Sequence, residues 1–442
     1  MKFIDLFAGI GGFHLALSRL GHECVFASEI KPRLRKVYKQ NFPDTPIEGD
    51  ITKIEVEEIP AHDILCGGFP CQPFSFAGKK LGFDDEKGRG NLFLEICRVL
   101  EYHKPTYIFL ENVSALPGHD EGRTWKVIQQ KLDELGYDIK SKVISPHEFG
   151  IPQHRPRFYI VGKRRDADII CLDRFKFPKI SRKSDVHTIV DENDVYGLHV
   201  VRPQICEVFD LWQEFVNNTV ERDGIMPSFC LKTWEFGADY AFEDVAPAYQ
   251  PIEKLVGRKG AYGIPLKGET REELISGLPD MAQKKEQRVW PEPKVILTRQ
   301  NREFYERHKD WIEPWKKKIM KFPRTQQSFE WSTDQGDYDL HHFVIQLRPS
   351  GVRIRRTNYV PTITLCTTAT PIIPWVRIPI KGTNLTPHDV RWGRYISPKE
   401  AARIQSMDML DLSTLSRTQQ FMALGNAVNV HVVEMIARQL LP

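Results

Sequence analysis

Short apolar runs alternate with helix-period segments over the first 165 residues, and after Arg165 that rhythm stops. Phe3-Ile4-Asp5-Leu6 reads as a strand, followed by glycine-rich sequence and a helix bearing Leu15, Leu17 and Leu20 that Gly21 closes. Cys24-Val25-Phe26-Ala27 and Ile64-Leu65-Cys66 read as further strands. Leu92, Phe93, Ile96, Val99 and Leu100 share one helical face, and Tyr107-Ile108-Phe109-Leu110 is apolar throughout, as a strand covered on both faces must be. Ile128, Leu132 and Leu135 mark a helix ending at Gly136, and Phe158-Tyr159-Ile160-Val161 is a late strand. Alternation at this spacing predicts β-α units and an α/β fold with a parallel, doubly wound sheet.

Residues 166–393 are richer in Pro, Trp and Arg and lack that alternation. Helical pattern returns at Ser397-Pro398-Lys399-Glu400, with Ser as N-cap, Pro at the first helical position and Glu closing a capping box. A last helix carries Val428, Val432, Met435, Ile436 and Leu440. The expected plan is an α/β domain over 1–165, a large irregular insertion over 166–393, and a return to the first domain over 394–442. A chain of 442 residues exceeds one ordinary core, and 41% apolar with 27% charged residues excludes wholesale disorder.

No run reaches the roughly 18 to 20 apolar residues of a membrane helix, and the amino terminus enters structured-looking sequence at once, with no signal peptide. A cytoplasmic protein with no regulatory domain before its first strand and no membrane partner is expected. The eight cysteines are scattered without a C-x-x-C pair, against a zinc cluster or disulfide scaffold, so no metal is expected. The net charge of +4 is uninformative, but its distribution is not. From Gln346 to Arg394 eight basic residues face one acid, and Lys294 to Arg324 holds ten basic and four acidic residues. Both stretches lie in the same third of the chain, which suggests a phosphate-facing surface.

Asp5-Leu6-Phe7-Ala8-Gly9-Ile10-Gly11-Gly12-Phe13 ends the first strand, where glycines let backbone approach a ligand and the next helix offers free N–H groups. A dehydrogenase would want a third glycine where His14 stands. Glu29 ends the second strand, where an acid commonly accepts from ribose hydroxyls, and Asp50 sits where a third would end. Together they suggest a nucleoside-containing cofactor without a pyrophosphate. Cys71, in Phe69-Pro70-Cys71-Gln72-Pro73, lies in a rigid loop after a strand and is a candidate nucleophile, whereas Cys24, Cys66 and Cys97 fall inside apolar runs. Glu111 ends the Tyr107–Leu110 strand and points to the same crevice, and Gln153-His154-Arg155-Pro156-Arg157 adds two guanidiniums near its rim.

In order and spacing, these motifs and Gly425-Asn426-Ala427-Val428 resemble the DNA (cytosine-5) methyltransferase family, over residues 1 to about 165 and 394–442. The resemblance implies a Rossmann-like, S-adenosylmethionine-dependent catalytic domain with a target-recognition domain inserted at 166–393. It implies Cys71 as nucleophile at cytosine C6, Glu111 at the N3 and N4 edge, Arg157 at the O2 side and Arg155 in support. The implied cofactor pocket takes in Phe7, Gly9, Gly11, Glu29, Ile30, Asp50, Ile51, Pro70, Leu92 and Asn426; Ile30 stands where the family often has an aromatic. Gln72 and Ser75 belong to a loop that closes over DNA, and Thr364-Leu365 resembles the element that approaches the flipped nucleotide. Arg353, Arg355 and Arg356, in a strand-like stretch just before it, are candidate DNA contacts. The implied partner is double-stranded DNA, with the enzyme a monomer; whether a cognate restriction endonuclease acts separately beside it is left open by the sequence. A tRNA cytosine-5 methyltransferase on the same scaffold is the alternative; a non-catalytic scaffold and a dehydrogenase fit less well.

Overall fold

The computed structural model describes residues 1–70, 92–167, 172–192, 199–363, 370–380 and 384–442. Cys71, Gln72, Ser75, Thr364 and Leu365 lie outside them.

The predicted alternation forms a seven-stranded sheet. Strands β1 (Lys2–Leu6), β2 (Glu23–Ser28), β3 (Ile47–Glu48), β4 (Ile64–Gly68) and β5 (Tyr107–Val113) pair in parallel in the order β3-β2-β1-β4-β5. Helices α1 (Gly12–Ser18), α2 (Pro32–Asn41), α3 (Leu92–His103) and α4 (Arg123–Glu134) lie between strands along the chain. Tyr107 to Asn112 of β5 are all buried, as the apolar run required.

The expectation of a wholly parallel sheet needs correction at its far side. β6 (Tyr137–Ile144), an alternating edge strand the apolar pattern did not reveal, leads through β7 (Gln153–His154) to β8 (Arg157–Arg164). β8 inserts between β5 and β6 and runs antiparallel to both. No α-helix links β6 to β8, and a parallel pair would need such a crossover.

The chain divides into two compact units. The first holds Met1–Asp191, Asn358–Thr367 and Ser397–Pro442; the second holds Glu192–Thr357 and Thr368–Ile396. The boundaries therefore fall at other positions than 165 and 393. Residues 172–191 stay with the first unit through specific bonds: Lys140 Nζ donates to the carbonyls of Asp173 and Phe175, both at 3.0 Å, and Asp191 N to Glu400 Oε1 at 2.9 Å.

Nor is the second unit irregular. It contains α5 (Pro203–Asp223), the short α6 (Arg271–Ser276) and α7 (Asp280–Gln283), α8 (Glu292–Arg307) and α9 (Lys309–Ile319). Its sheet is built from β9 (Leu231–Lys232), β10 (Ser328–Ser332), β11 (Val344–Arg348) and β12 (Gly351–Arg355). After β13 (Val360–Pro361), which belongs to the first unit, β14 (Ile372–Ile373) and β15 (Arg394–Tyr395) complete it in the order β15-β14-β11-β12-β10-β9. Strands of two to five residues, most of them separated by long excursions, leave no repeating period to read. A core including Trp212, Phe215, Trp315 and Phe329 packs the helices against this sheet.

β13 pairs in parallel with β7, Val360 opposite Gln153 and Pro361 opposite His154. The first unit closes with α10 (Pro398–Ile404), α11 (Arg417–Asn426) and α12 (Val430–Leu440); the predicted Ser397–Glu400 capping box is present. Among the described residues no helix is long and apolar enough to cross a membrane.

Candidate active site

The carboxyl ends of β1, β2, β4 and β5 share one edge of the sheet, the usual place for a ligand in an open α/β fold. A cavity of about 410 Å³ opens there. Phe7 leaves β1 at φ 59, a left-handed backbone that a bulky residue rarely adopts, and Gly9 follows at φ 59. This turn aims the Gly9 N–H at Glu29 Oε2, 3.0 Å away, while Lys31 N–H donates to Glu29 Oε1 at 2.9 Å. Arg35 Nη1 donates to the carbonyls of Glu29 and Ile30, at 2.8 and 3.0 Å, so the loop after β2 is held on three sides. Asp50 caps a single helical turn, its Oδ1 accepting from Thr52 N at 3.1 Å and Thr52 Oγ1 at 2.9 Å.

Nine of the ten expected cofactor residues, Phe7, Gly9, Glu29, Ile30, Asp50, Ile51, Pro70, Leu92 and Asn426, line the cavity. Gly11 does not. It stands at φ 85 before α1 with its Cα against Phe42, where an added Cβ would come within 2.3 Å of the ring. Its absence of a side chain therefore serves packing behind the site. His14, at the third-glycine position, is buried, bonded to Tyr38 Oη at 2.7 Å and stacked on Phe42 at 3.7 Å. Lys31 and Leu34 also line the cavity, and sequence reasoning passed over them. The unrecognised helix α2, which opens on Pro32, was their available signal.

On the β5 side the cavity is lined by Glu111, Arg155 and Arg157. Val113 pairs with Arg157 in the β5–β8 ladder, which brings Arg157 Nε to 3.1 Å from Glu111 Oε1. Burial raises the Glu111 carboxyl above its ordinary pKa, and the charges of Arg157 and Arg155 oppose that rise. Arg155 is 2% exposed. Its Nη2 donates to the Ala427 carbonyl at 2.9 Å and its backbone N–H to Ser145 Oγ at 2.9 Å, while Nε and Nη1 have no hydrogen-bond partner among the described residues. Burial pulls its pKa down to about 10, with Arg157 adding to the fall and Glu111 resisting it, so the group stays cationic at neutral pH. Asn112 Nδ2 donates to the Phe69 carbonyl at 2.9 Å and ties the segment before Cys71 to β5. An added Cβ on Gly68 would stand 3.5 Å from Glu111 Oε2, so the chain entering that loop runs close beside the carboxylate.

The sequence pattern of the C-5 cytosine-specific DNA methylases matches residues 1–221, half of the chain. This chain belongs to that family. The Type II methyltransferase M.HhaI of Haemophilus parahaemolyticus is 46% identical over 179 residues, 40% of this chain and 53% of the relative. The Type II methyltransferase M.MspI of Moraxella sp is 39% identical over 281 residues, 63% of this chain and 62% of the relative. The chain spans between half and two thirds of the length of these relatives. In fold it is similar to a Spodoptera frugiperda DNMT2 mutant, with a TM-score of 0.51 and 18% identity over 99% of each chain. It is likewise similar to the S. pombe Dnmt2 methyltransferase, with a TM-score of 0.51 at 16% identity, covering 100% of this chain and 98% of that one. At such identities the likeness is one of fold.

The three cysteines inside apolar runs are packing residues. Burial pushes the thiols of Cys24 and Cys97 up to about 12 and that of Cys66 well up, which leaves them protonated and inert. Of the candidate DNA contacts, Arg353 pairs with Glu330 at 2.6 Å and Arg356 with Asp334 at 2.5 Å, while Arg355 follows Arg353 two positions along β12.

Proposed function

We propose that this methylase transfers a methyl group from S-adenosylmethionine to C5 of a cytosine flipped out of a specific double-stranded DNA sequence, through a covalent Cys71–C6 adduct. The carrying observation is the Glu111–Arg157 pair beside the buried Arg155 cation, at the strand ends where the segment leading to Cys71 begins. The cavity fits an adenosyl cofactor: its volume lies in the roughly 300 to 1,000 Å³ range of small-molecule pockets, and Glu29 is already oriented by two backbone N–H groups. Glu29 would hold the ribose hydroxyls, Asp50 the adenine amino group and Phe7 the adenine face. When bound, S-adenosylmethionine supplies an electrophilic methyl group on a sulfonium.

Cytosine C5 is too weak a nucleophile to accept that methyl group unaided. Attack of the Cys71 thiolate on C6 forms an S–C6 bond and moves the ring electrons toward C5 and N3. Glu111, with its raised pKa, holds the proton at N3 as charge develops there, and Arg157 and Arg155 stabilise the O2 side. After C5 is methylated, loss of its proton and cleavage of the S–C6 bond release the product and the thiolate. Extrusion from the duplex costs a few kcal/mol, to be offset by contacts from the second unit. Such an enzyme would work as a monomer on cytoplasmic DNA and protect its site from a cognate restriction endonuclease.

Duplex DNA carrying 5-fluorocytosine at the target should trap the adduct, because fluorine cannot leave as a proton does. Cys71→Ser should abolish both adduct and methyl transfer. Substantial methylation by that variant, or 5-methylcytosine appearing in tRNA and not in DNA, would overturn the reading.

A further inference from the structure

The three strands β11, β12 and β10 present two different faces. Leu347, Val352 and Phe329 form one lateral row, and Ile345, Ile354 and Trp331 the next, both turned to the core. On the other face Gln346, Arg353 and Glu330 stand side by side, with Arg348 and Arg355 two residues along their strands. Lys232 joins this face from β9, its Nζ donating to Ser328 Oγ at 2.8 Å. Arg348, Arg353, Arg355 and Lys232 thus share this face with Glu330.

Glu330 touches two of them. Its Oε1 lies 2.6 Å from Arg353 Nη2 and its Oε2 2.6 Å from Arg348 Nη2, while Ser332 Oγ donates to Oε1 at 2.8 Å. The three charged side chains are only 21–24% exposed, unlike the Arg356–Asp334 pair at 54% and 69%. Glu330 thus engages Nη2 of each guanidinium, while the Nε atoms of Arg348 and Arg353 are buried and have no hydrogen-bond partner among the described residues.

We propose that Glu330 is a buttress that fixes Arg348 and Arg353 as guanine-reading side chains, so that these three residues set part of the methylated sequence. The inference rests on the reading of the chain as a DNA methyltransferase. The Glu330 carboxylate offsets part of the charge of the two guanidiniums and so weakens the purely coulombic pull on a phosphate, whereas the O6 and N7 edge of guanine is an uncharged pair of acceptors that matches an arginine fork in geometry. Anchoring one nitrogen of each fork also removes side-chain freedom before DNA arrives, freedom otherwise lost on binding. Burial alone would raise the Glu330 carboxyl, but its bonds to Arg353, Ser332 and Arg348 hold it below its ordinary pKa, so the buttress stays ionised at neutral pH.

The test is methylation of a randomised duplex DNA library by the whole 442-residue chain, read by bisulfite sequencing. Arg353→Ala and Arg348→Ala should each lower discrimination at one guanine by about 5- to 150-fold, the ratio expected for a lost bidentate contact. Glu330→Gln should relax the same positions while leaving library-wide affinity equal or higher, because a negative charge has left the face. Arg353→Lys keeps the charge and loses the fork, and should relax the site without weakening unspecific binding; it decides the matter if Glu330→Gln does not fold. An unchanged methylated sequence in all four variants overturns the inference. So does a uniform loss across all sequences with the salt slope reduced by about one unit, the mark of a phosphate contact. If the wild type methylates no DNA, the proposed function fails first; if it methylates a defined site that the variants keep, only the buttress falls.

Discussion

Asp5 holds a carboxyl group where water cannot reach it. The side chain is 1% exposed, accepts from the His14 N–H at 3.3 Å through Oδ2, and has no partner for Oδ1 among the described residues. Burial pushes its pKa up to about 8, against the His14 N–H and with help from the Glu29 charge. The fold therefore keeps a proton that the unfolded chain, with a pKa of about 3.9, releases. Its contribution to stability is complete below that unfolded value and is lost as the pH rises toward 8. Asp5→Asn removes the dependence, so its melting temperature should gain on the wild type between about pH 5 and pH 8; a constant difference across that range would mean that Asp5 is ionised. A second contrast separates the two halves of the cavity. Glu111→Gln should lower kcat and leave cofactor affinity near the wild-type value, whereas Glu29→Ala, which frees the Gly9 and Lys31 N–H groups, should weaken cofactor binding. Calorimetry with S-adenosylmethionine alone checks both. Both residues were legible in the sequence because each ends a strongly apolar strand. Their partners were not, since the Glu111–Arg157 pair depends on β8 lying antiparallel beside β5.

Among the elements, α1 and α10 show how local signals seat the site. Gly11 precedes α1 in a left-handed conformation, and no side chain fits between it and Phe42. Gly11→Ala should cost more than about 1 kcal/mol, since both backbone and packing reject the methyl group. Ser397 caps α10, with Glu400 returning a bond to its N–H at 2.7 Å. Ser397→Ala should cost about 1 kcal/mol, within a range of 0.5 to 2. Urea unfolding of each variant measures these losses, and a change in Ser397→Ala below a few tenths would show the box to be dispensable. The capping box was plain in the sequence because all its atoms lie within four residues. The clash at Gly11 was hidden because Phe42 is distant along the chain.

At the scale of the whole molecule, each of the two units has its own core, one including Ile4, Leu65, Ile108 and Ile160, the other including Trp212, Phe215 and Trp315. Two separable unfolding transitions are expected. S-adenosylmethionine should raise only that of the first unit, by about 2.7 kcal/mol at a hundred times its Kd. Trp212→Ala should lower only that of the second, by about 3 to 5 kcal/mol. Differential scanning calorimetry distinguishes this from a single cooperative unit, in which cofactor and mutation would shift one common transition.

Local pattern determined most strands and helices of the first unit, though not β6 or α2, and it placed glycines and acids at the strand ends that line the cavity. These signals depend on neighbours a few residues apart, where burial periodicity and capping chemistry act directly. Tertiary structure alone decided the sheet order, the reversal of β8 and the return of Val360–Pro361 to pair with Gln153–His154. It also decided that Arg353, read only as a DNA contact, stands bonded to Glu330. Two residues 23 positions apart become neighbours only through the β10–β12 register; each strand's apolar alternation sets which face Glu330 and Arg353 share, but which strand pairs with which is decided by the fold of the whole unit.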